Sequence, residues 1–539
     1  MRITPMKIEQ RNQLINDYCN KDHDVHTYFD YQDTKGDLTR RINELMNRSF
    51  ARKELSDVLI HMNKKWGAPE QTIHNINRLK QSDSVVVIGG QQAGLLTGPL
   101  YTIHKIVSII TYAKQQEIEF NRPVIPVFWI AGEDHDYLEV NHVHMFHDGK
   151  MEKVLLDEQP LKKIPMSHKP INHQTGEKWL QHVFSLLKET EHTKELYFQM
   201  REALSQSNTI VDFFARTLFT LIREEGIVLV DSGAPEIRQL ESDYFVQLIK
   251  NQEKLSTITY ETHKQLLYKG YSIDLDLEEK SGHLFYHHKN ERILLFRDEE
   301  EWVGKQHEVS FTTDELLSIA KEKPHLLSNN VVTRPLMQDL LFPTLAFIGG
   351  PGEISYWSVL KGAFHALNIK MPPVIKRLSF TLVTTQIEDK LEKYGLSLKS
   401  VIENGVDSYK QRWLQSQSHP PFHEMFKQFK KTIQHTHQPI HEVAQYIRKD
   451  LGLLAENNLQ HIFRHIDYLE GRMKCVLEEQ YAGEMADFDY LNALLFPNQG
   501  LQERIWNPLP WLNEFGTDLI DNLLKQSFSL KDDHYIVYL

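Results

Sequence analysis

The chain has 539 residues, of which 41% are hydrophobic and 25% are charged, and its formal net charge at pH 7 is −12. This length exceeds what one hydrophobic core usually supports, so we expect two or three structural units, and the acidic balance argues against an extended nucleic-acid surface. With two cysteines, no signal-peptide pattern and no apolar run of the ~18 residues that a membrane span requires, the sequence predicts a soluble cytoplasmic protein without disulfides.

The sequence pattern of residues 1–83 predicts helices. Within residues 37–59, for example, the apolar side chains recur at helical spacing, at Leu38, Ile42, Leu45 and Met46. We expect this segment to pack against a sheet that later residues form.

The next stretch predicts a strand, a glycine turn and a helix. Residues 85–88 are apolar and β-branched, which indicates a strand buried on both faces, and Gly98 and Pro99 mark a helix start after the turn 89–94. Free backbone N–H groups at a helix start favour an anion. The residues predicted to orient a phosphate or a substrate carboxylate are Gln91, Gln92, Thr97 and Lys105. The alternative is that the glycines only permit a tight turn and Lys105 lies on the surface.

Two familiar phosphate-binding loops do not fit this turn. A Walker loop needs Lys and then Ser or Thr after its last glycine, but Leu95 and Leu96 follow Gly94. The dinucleotide fingerprint is broken because Gln91 stands where its second glycine belongs.

A second buried strand, residues 123–131, ends in an acidic loop, and open α/β sheets place their chemistry just beyond such strands. The loop contains Glu133, Asp134, His135 and Asp136. These side chains suit a cationic amine or Mg²⁺ on nucleotide phosphates, and His135 suits proton transfer near neutral pH. A solvated loop without function is the alternative.

Three histidines follow this loop. His142 and His144 would lie on one face of a strand, with His147 nearby, and a pair of this kind could share a metal ion. No cysteine is close, however, and 28 histidines in the chain make local clusters common. We therefore assign no metal site.

Further strands at residues 227–230 and 344–348 continue the α/β pattern around two insertions, at about 151–207 and 235–325. The second insertion predicts a hairpin that turns at Lys289 and Asn290.

Another glycine turn, at residues 349–352, opens another helix after a strand. It adds Gly350, Glu353 and Ser355 to the predicted substrate site. No G-x-S-x-G elbow surrounds Ser355, so we expect a hydrogen-bonding residue rather than a nucleophile.

The rest of the chain predicts a helical domain at 386–486 and a segment at 487–539 that returns to the core of 1–385. A heptad seam runs through Leu459, Ile462, Ile466, Leu469, Met473 and Val476. A second apolar face contains Phe422, Phe426, Phe429 and Ile433. The spare apolar surface of such a hairpin suits a homodimer, although a monomeric hairpin docked on the core would show the same periodicity.

Three separated stretches resemble one known family. They are residues 90–99 (GQQAGLLTGP) with Lys105, residues 128–136 (FWIAGEDHD) and residues 349–357 (GGPGEISYW). Together they resemble the bacillithiol-synthesis cysteine ligase family, BshC, over essentially the whole chain. The resemblance implies an α/β fold with a Rossmann-like, nucleotidyltransferase-like parallel-sheet core, two connecting insertions and an α-helical coiled coil that pairs subunits.

The resemblance also implies an enzyme that joins cysteine to glucosaminyl malate by an amide bond, the last step in making bacillithiol. Amide formation from a carboxylate and an amine in water needs coupling, so we expect ATP as a cofactor, with Mg²⁺ beside it. In this hypothesis anionic groups bind to Gln91, Thr97 and Lys105, ammonium groups or Mg²⁺ bind to Glu133, Asp134 and Asp136, and the base is His135.

The ATP-binding signatures of class I nucleotidyltransferases are absent at residues 91–94 and 376–379. A separate adenine-nucleotide pocket is therefore predicted where Thr384, Thr385 and Gln386 cap a helix, with Tyr490 or Trp506 stacked on the adenine. Ordinary capping and packing is the alternative.

Two other classes of protein stay open. One is a dimeric scaffold that binds a nucleotide without turning it over. The other is a Rossmann-type oxidoreductase, which the broken fingerprint disfavours.

Overall fold

A computed structural model describes residues 1–9, 12–156, 164–289 and 291–539. Asn290, predicted in the hairpin turn, lies outside the described residues, as does part of the first insertion, 157–163. The chain divides into two compact units. The first contains Met1–His147, Glu152–Val383 and Gln502–Leu539, and the second contains Asp148–Met151 and Thr384–Leu501.

The strands are numbered in chain order. They are β1 (Arg2–Met6), β2 (Val85–Gln91), β3 (Val124–Ile130), β4 (His142–His147), β5 (Lys150–Leu155), β6 (Val228–Asp231), β7 (Ser281–His288), β8 (Glu291–Asp298), β9 (Glu301–Gly304), β10 (Ser310–Thr312), β11 (Leu327–Asn329), β12 (Thr344–Gly349), β13 (Val374–Lys376), β14 (Phe380–Val383) and β15 (His534–Tyr538).

The helices are numbered in the same way. They are α1 (Gln13–Cys19), α2 (His23–His26), α3 (Lys35–Met46), α4 (Arg52–Lys65), α5 (Glu70–Arg78), α6 (Tyr101–Phe120), α7 (Tyr137–Val140), α8 (His173–Ser185), α9 (Thr193–Ser205), α10 (Ile210–Leu221), α11 (Pro235–Leu240), α12 (Ser242–Lys250), α13 (Gln252–Tyr268), α14 (Thr313–Glu322), α15 (Thr333–Leu341), α16 (Pro351–Trp357), α17 (Lys361–Ala366), α18 (Thr385–Lys393), α19 (Leu398–Asn404), α20 (Asp407–Ser416), α21 (Phe422–Ile447), α22 (Lys449–Gln480), α23 (Ala482–Leu495), α24 (Leu509–Phe515) and α25 (Asp518–Leu524).

A parallel sheet with the strand order β13-β12-β2-β3-β6 forms the centre of the first unit. All seven residues of β3 are buried, as parallel strands covered on both faces require. The helices α4, α5 and α6 pack against these strands. The predicted strands at 85–88, 123–131, 227–230 and 344–348 are confirmed.

Two other sheets, of five and three strands, belong to the first unit. The second insertion forms an antiparallel sheet in the order β10-β9-β8-β7-β11, so the predicted hairpin is part of a larger sheet. The third sheet has the order β1-β15-β14. The prediction of helices throughout residues 1–83 is wrong for β1, because this short strand pairs with β15 at the other end of the chain, and no local pattern reveals such a partner.

The predicted helix at 37–59 is broken between α3 and α4. Its first half is as expected, with Leu38, Ile42 and Leu45 buried, but Met46 is 37% exposed. Arg48 lies in the break, where its Nη1 is 2.6 Å from Oδ2 of the buried Asp339. This ion pair ties the break to α15.

In the second unit, α21 and α22 form an antiparallel hairpin, as predicted. The seam prediction is correct for Leu459 and Ile466, which are buried. Leu469, Met473 and Val476 are 54%, 39% and 55% exposed in the single chain, so α21 does not cover this part of the seam, and its pairing with a second chain stays a prediction. Among the described helices, none is both long and apolar enough to cross a membrane.

Candidate functional site

A cavity of about 330 Å³ lies at the carboxyl edge of the central sheet, within the first unit. Parallel strands gather functional side chains at this edge, and the volume is in the range of small-molecule sites. The ionisable side chains that line it are Tyr101, Lys105, Asp134, Arg334, Glu353, Tyr356, Arg377 and Arg504. Cations outnumber carboxylates in this set, so the cavity favours an anionic ligand.

The first glycine turn forms one wall of the cavity. A Cβ atom at Gly90 would lie 2.5 Å from the carbonyl oxygen of Trp129, so only glycine allows β2 and β3 to approach this closely. Gln91 and Gln92 follow at once and both line the cavity, and their contact with a phosphate or a substrate carboxylate stays a prediction.

Lys105 is buried, with 1% of its surface exposed, so the alternative of a surface lysine is wrong. Its Nζ donates hydrogen bonds to the carbonyl of Gly90 at 2.6 Å and to Oε1 of Gln91 at 3.1 Å, and it pairs with Glu353 Oε2 at 2.5 Å. Burial lowers the pKa of Lys105, while the charge of Glu353 acts in the opposite direction.

The second glycine turn, residues 349–352, also lines the cavity. The backbone N–H of Gly350 donates to Oε2 of Glu353 at 2.8 Å, which closes the first turn of α16. Gly350 and Glu353 line the cavity, whereas Ser355 does not. Ser355 is 3% exposed, and its hydroxyl has no hydrogen-bond partner among the residues that the structure describes.

Arg377 is fixed at the cavity by a buried ion pair. Its Nη2 is 2.6 Å from Oε1 of Glu503, and His104 Nδ1 is 2.7 Å from the other oxygen of this carboxylate. Burial would raise the pKa of Glu503, but the Arg377 guanidinium holds it well below its usual range. The charge of Arg377 is therefore partly neutralised inside the protein.

Glu133 does not face the cavity. Its carboxylate is fully buried and pairs with Arg238, with Nε of Arg334 at 2.9 Å and with the backbone N–H of Asn329 at 3.2 Å. Burial alone would raise the pKa of Glu133, but the nearby guanidinium groups lower it to about 2. In the structure, then, Glu133 anchors Arg334 rather than offering ligands to an amine or Mg²⁺.

Asp134 is the acidic-loop residue that lines the cavity. Its Oδ1 accepts from Nη2 of Arg334 at 2.7 Å and from Nη1 of Arg292 at 3.1 Å. Arg292 comes from β8, so the sheet of the second insertion contributes to this edge of the site.

The other predicted residues of this region lie away from the cavity lining. The ring of His135 packs edge-on against Phe285, with 6.3 Å between centroids. Asp136 is exposed at the start of α7, and Thr97 is fully buried. The structure therefore does not bring these three side chains to the cavity.

Asn507 secures the strained turn that precedes α6. Leu96 and Thr97 have φ angles of 48° and 74°, which non-glycine residues adopt at a cost of about 1–3 kcal/mol each. Nδ2 of the buried Asn507 donates to the carbonyls of Leu96 at 2.9 Å and Gly98 at 2.8 Å.

We expect Asn507→Ala to lower the free energy of unfolding by roughly 2–4 kcal/mol, because two buried carbonyls lose their donor. Urea denaturation checks this, with Asn522→Ala, on the exposed side of α25, as the control. Equal midpoints for Asn507→Ala and wild type would show that the turn does not depend on this side chain.

The predicted nucleotide residues are divided between the two units. In the second unit, Thr384 caps α18, which begins at Thr385, and the Tyr490 hydroxyl donates to Oε1 of Gln386 at 2.9 Å. Trp506 belongs to the first unit, is 4% exposed and packs beside Trp511. Its indole therefore lacks an open face for an adenine.

The histidines of β4 lie close together, with ring centroids of His142 and His144 5.1 Å apart. Burial lowers the pKa of His142 to about 4. Across the described ranges, no group of three or more His, Cys, Asp or Glu side chains could hold a metal ion.

Sequence reasoning missed several cavity residues, namely Tyr101, Arg334, Gln338, Tyr356 and Arg504. Of these, Arg504 is exposed and forms no ion pair with any described residue. Arg334 directly precedes Pro335 at the start of α15, and this position of a basic residue is visible in the sequence. No comparable signal marks Arg504.

Comparisons with known proteins agree with this architecture. Residues 1–378 match the description "Bacillithiol biosynthesis BshC, N-terminal Rossmann-like domain", and residues 380–539 match "Bacillithiol biosynthesis BshC, C-terminal coiled-coil domain". Relatives named "Putative cysteine ligase BshC" occur in Oceanobacillus iheyensis, Geobacillus sp. and Bacillus licheniformis. They are 41%, 39% and 37% identical to this chain over 100% of both chains. The chain therefore belongs to the bacillithiol biosynthesis BshC family.

Proposed function

We propose that this protein is a ligase that joins the carboxylate of cysteine to the amine of glucosaminyl malate, the last step of bacillithiol biosynthesis. Membership of the family and the names of the full-length relatives support the reaction class. ATP and free cysteine are cytoplasmic metabolites, so the proposal includes the cytoplasmic location that we expect from the sequence.

The observation that carries the proposal is the charge arrangement of the cavity. The malate group of the acceptor has two carboxylates, and Arg504 offers a guanidinium that no described residue pairs. The amine of the acceptor needs a carboxylate nearby, and Asp134 and Glu353 line the same cavity. One small cavity thus offers partners for both ends of the acceptor.

We also propose ATP as the energy source, with Mg²⁺ on its phosphates, because amide formation from a free carboxylate requires activation. Gln386 and Tyr490 are the candidates for adenine-nucleotide binding, and their side chains are in contact. The buried Trp506 is not part of this proposal. Weaker ATP binding by Tyr490→Ala than by wild type in calorimetric titration would support this location.

Mass spectrometry of the reaction products tests the function. The purified protein is incubated with cysteine, glucosaminyl malate and Mg²⁺, with and without ATP. We expect the cysteinyl amide only when ATP is present, together with AMP if cysteine is activated as an adenylate. Nucleotide binding without any product would instead support a non-catalytic scaffold.

We further propose that the protein forms a homodimer through its coiled coil. The exposed seam residues Leu469, Met473 and Val476 lie beside Met425 and Phe429 of α21, which are 55% and 52% exposed. This apolar groove runs along an antiparallel hairpin, and a second copy can cover it by two-fold symmetry.

The double variant Leu469→Glu/Met473→Glu should convert this dimer into a monomer, because the new charges would be buried at the interface. Sedimentation velocity measures the change. The control is Ile118→Glu, at an 83% exposed apolar position of the first unit. A wild-type protein that sediments as a monomer at micromolar concentration would contradict the proposal.

A further inference from the structure

We propose that Glu353 is the group that takes the proton from the attacking amine, an inference that rests on the proposed ligase function. The residue that the sequence suggests for this task is His135, whose ring packs against Phe285 away from the cavity lining. Glu353 lies inside the cavity, on the first turn of α16.

The reaction requires a proton acceptor. An amine is protonated near neutral pH and has no lone pair for attack until one N–H bond breaks. In the proposed step one ammonium proton passes to a carboxylate oxygen of Glu353, and the lone pair of the neutral nitrogen then forms the C–N bond to the activated cysteine carboxyl. The leaving group departs from that carboxyl carbon with the electron pair of its bond, and the second proton of the nitrogen passes to solvent, which leaves the neutral amide. A positioned acceptor contributes about 10²–10⁴-fold to such a rate.

Ion pairs with arginine occupy the other carboxylates at this edge. Glu133 is fully buried among guanidinium groups, which hold its pKa at about 2. Glu503 is paired with Arg377 and is not a lining residue. Asp134 lines the cavity, but its Oδ1 is shared between two arginines. Glu353 differs from all three because its cation is Lys105 rather than an arginine.

Glu353 is held by one oxygen only. Its Oε2 accepts from Lys105 and from the backbone N–H of Gly350, whereas Oε1 accepts no hydrogen bond from a described residue. The side chain is 22% exposed. Glu353 is thus fixed in place and still offers one oxygen to the cavity.

The charged and titratable groups around Glu353 come from several elements. Lys105 and Tyr101 lie on α6, Arg377 follows β13, and Tyr356 lies on α16. Lys105 pairs directly with Glu353 and can itself exchange a proton with it. The test must therefore distinguish the effect of the Glu353 carboxylate on the rate from the effect of Lys105.

The test compares Glu353→Gln, Glu353→Asp and wild type. Glutamine retains an oxygen that can accept from Gly350 and Lys105, but it removes the counter-charge of the buried Lys105, so urea denaturation of each variant accompanies the rate measurement. We expect Glu353→Gln to form product about 100-fold more slowly or worse, a larger loss than the weakening of its glucosaminyl malate binding, which calorimetry measures. Glu353→Asp should recover part of the rate. The exposed Glu139, replaced by Gln, is the control.

The pH dependence gives a second readout. The rate of Glu353→Gln should rise with the fraction of free amine as pH increases, because the variant lacks the carboxylate that takes the ammonium proton, and this pH profile should differ from that of wild type. Glu353→Gln with the wild-type rate, or with the wild-type pH profile, would overturn the inference. A wild-type protein that makes no amide would instead contradict the proposed function itself.

Discussion

Replacement of Glu133 by Gln should lower the free energy of unfolding at pH 7 by about 3–5 kcal/mol, the usual cost of leaving a buried ion-pair partner uncompensated. The carboxylate pairs with Arg238 and Arg334 and is 0% exposed. A neutral amide would remove one of the two carboxylate partners of each guanidinium group, since Arg238 also pairs with Glu241 and Arg334 also pairs with Asp134. Urea denaturation measures the effect, and Glu139→Gln, exposed on α7, serves as the matched control.

The same variant should change the pH dependence of stability. The folded-state pKa of Glu133 is lowered to about 2 from an ordinary value of 4.5, so its contribution is fully present above pH 4.5 and is lost as pH falls towards 2. The difference in unfolding free energy between wild type and Glu133→Gln should therefore shrink below pH 4.5. A difference that is constant between pH 7 and pH 3 would contradict this account of the ion pair.

Replacement of Arg504 by Gln should raise the KM for glucosaminyl malate by about 10–100-fold, which corresponds to the loss of one charge-assisted hydrogen bond of about 1.5–3 kcal/mol. The side chain lines the cavity, is exposed and has no ion-pair partner among the described residues. Its removal should therefore leave the melting temperature unchanged, unlike the removal of Glu133.

Arg504→Lys is the matched control for this prediction, because it keeps the positive charge but loses the planar pair of donors. Its KM should lie between those of Arg504→Gln and wild type. Unchanged KM values for both variants would mean that the acceptor does not bind to this side of the cavity.

The core of the fold is readable from the sequence because its strands are short, apolar and β-branched. Residues 85–88 and 123–131 predict β2 and β3 for this reason, and the glycine turn after the first strand and the acidic loop after the second both contribute lining residues to the cavity. The same reasoning places Gln91 and Lys105 at the site, since both follow the first of these strands within the adjoining turn and helix.

The electrostatic roles of the acidic loop cannot be predicted in this way. Glu133 and Asp134 are neighbours in sequence, yet one is enclosed by guanidinium groups and the other lines the cavity. The difference depends on Arg238, Arg292 and Arg334, which come from distant elements. Local composition identifies titratable residues but not their partners.

For the exposed half of the coiled-coil seam, the sequence predicts the helix face but not the partner that covers it. A heptad pattern shows that Leu469, Met473 and Val476 share a helix face with Leu459, but it does not say whether α21 or a second chain covers that face. The structure shows the first part of the seam buried within the hairpin and the second part exposed.

The location of bound glucosaminyl malate tests the central claim most directly. A crystal structure of the protein soaked with this compound in the absence of ATP would show where the acceptor lies. We predict that it occupies the cavity of about 330 Å³ at the carboxyl edge of the central sheet, with a malate carboxylate on Arg504 and the amine towards Glu353. Clear density for the compound elsewhere, with this cavity empty, would contradict the account.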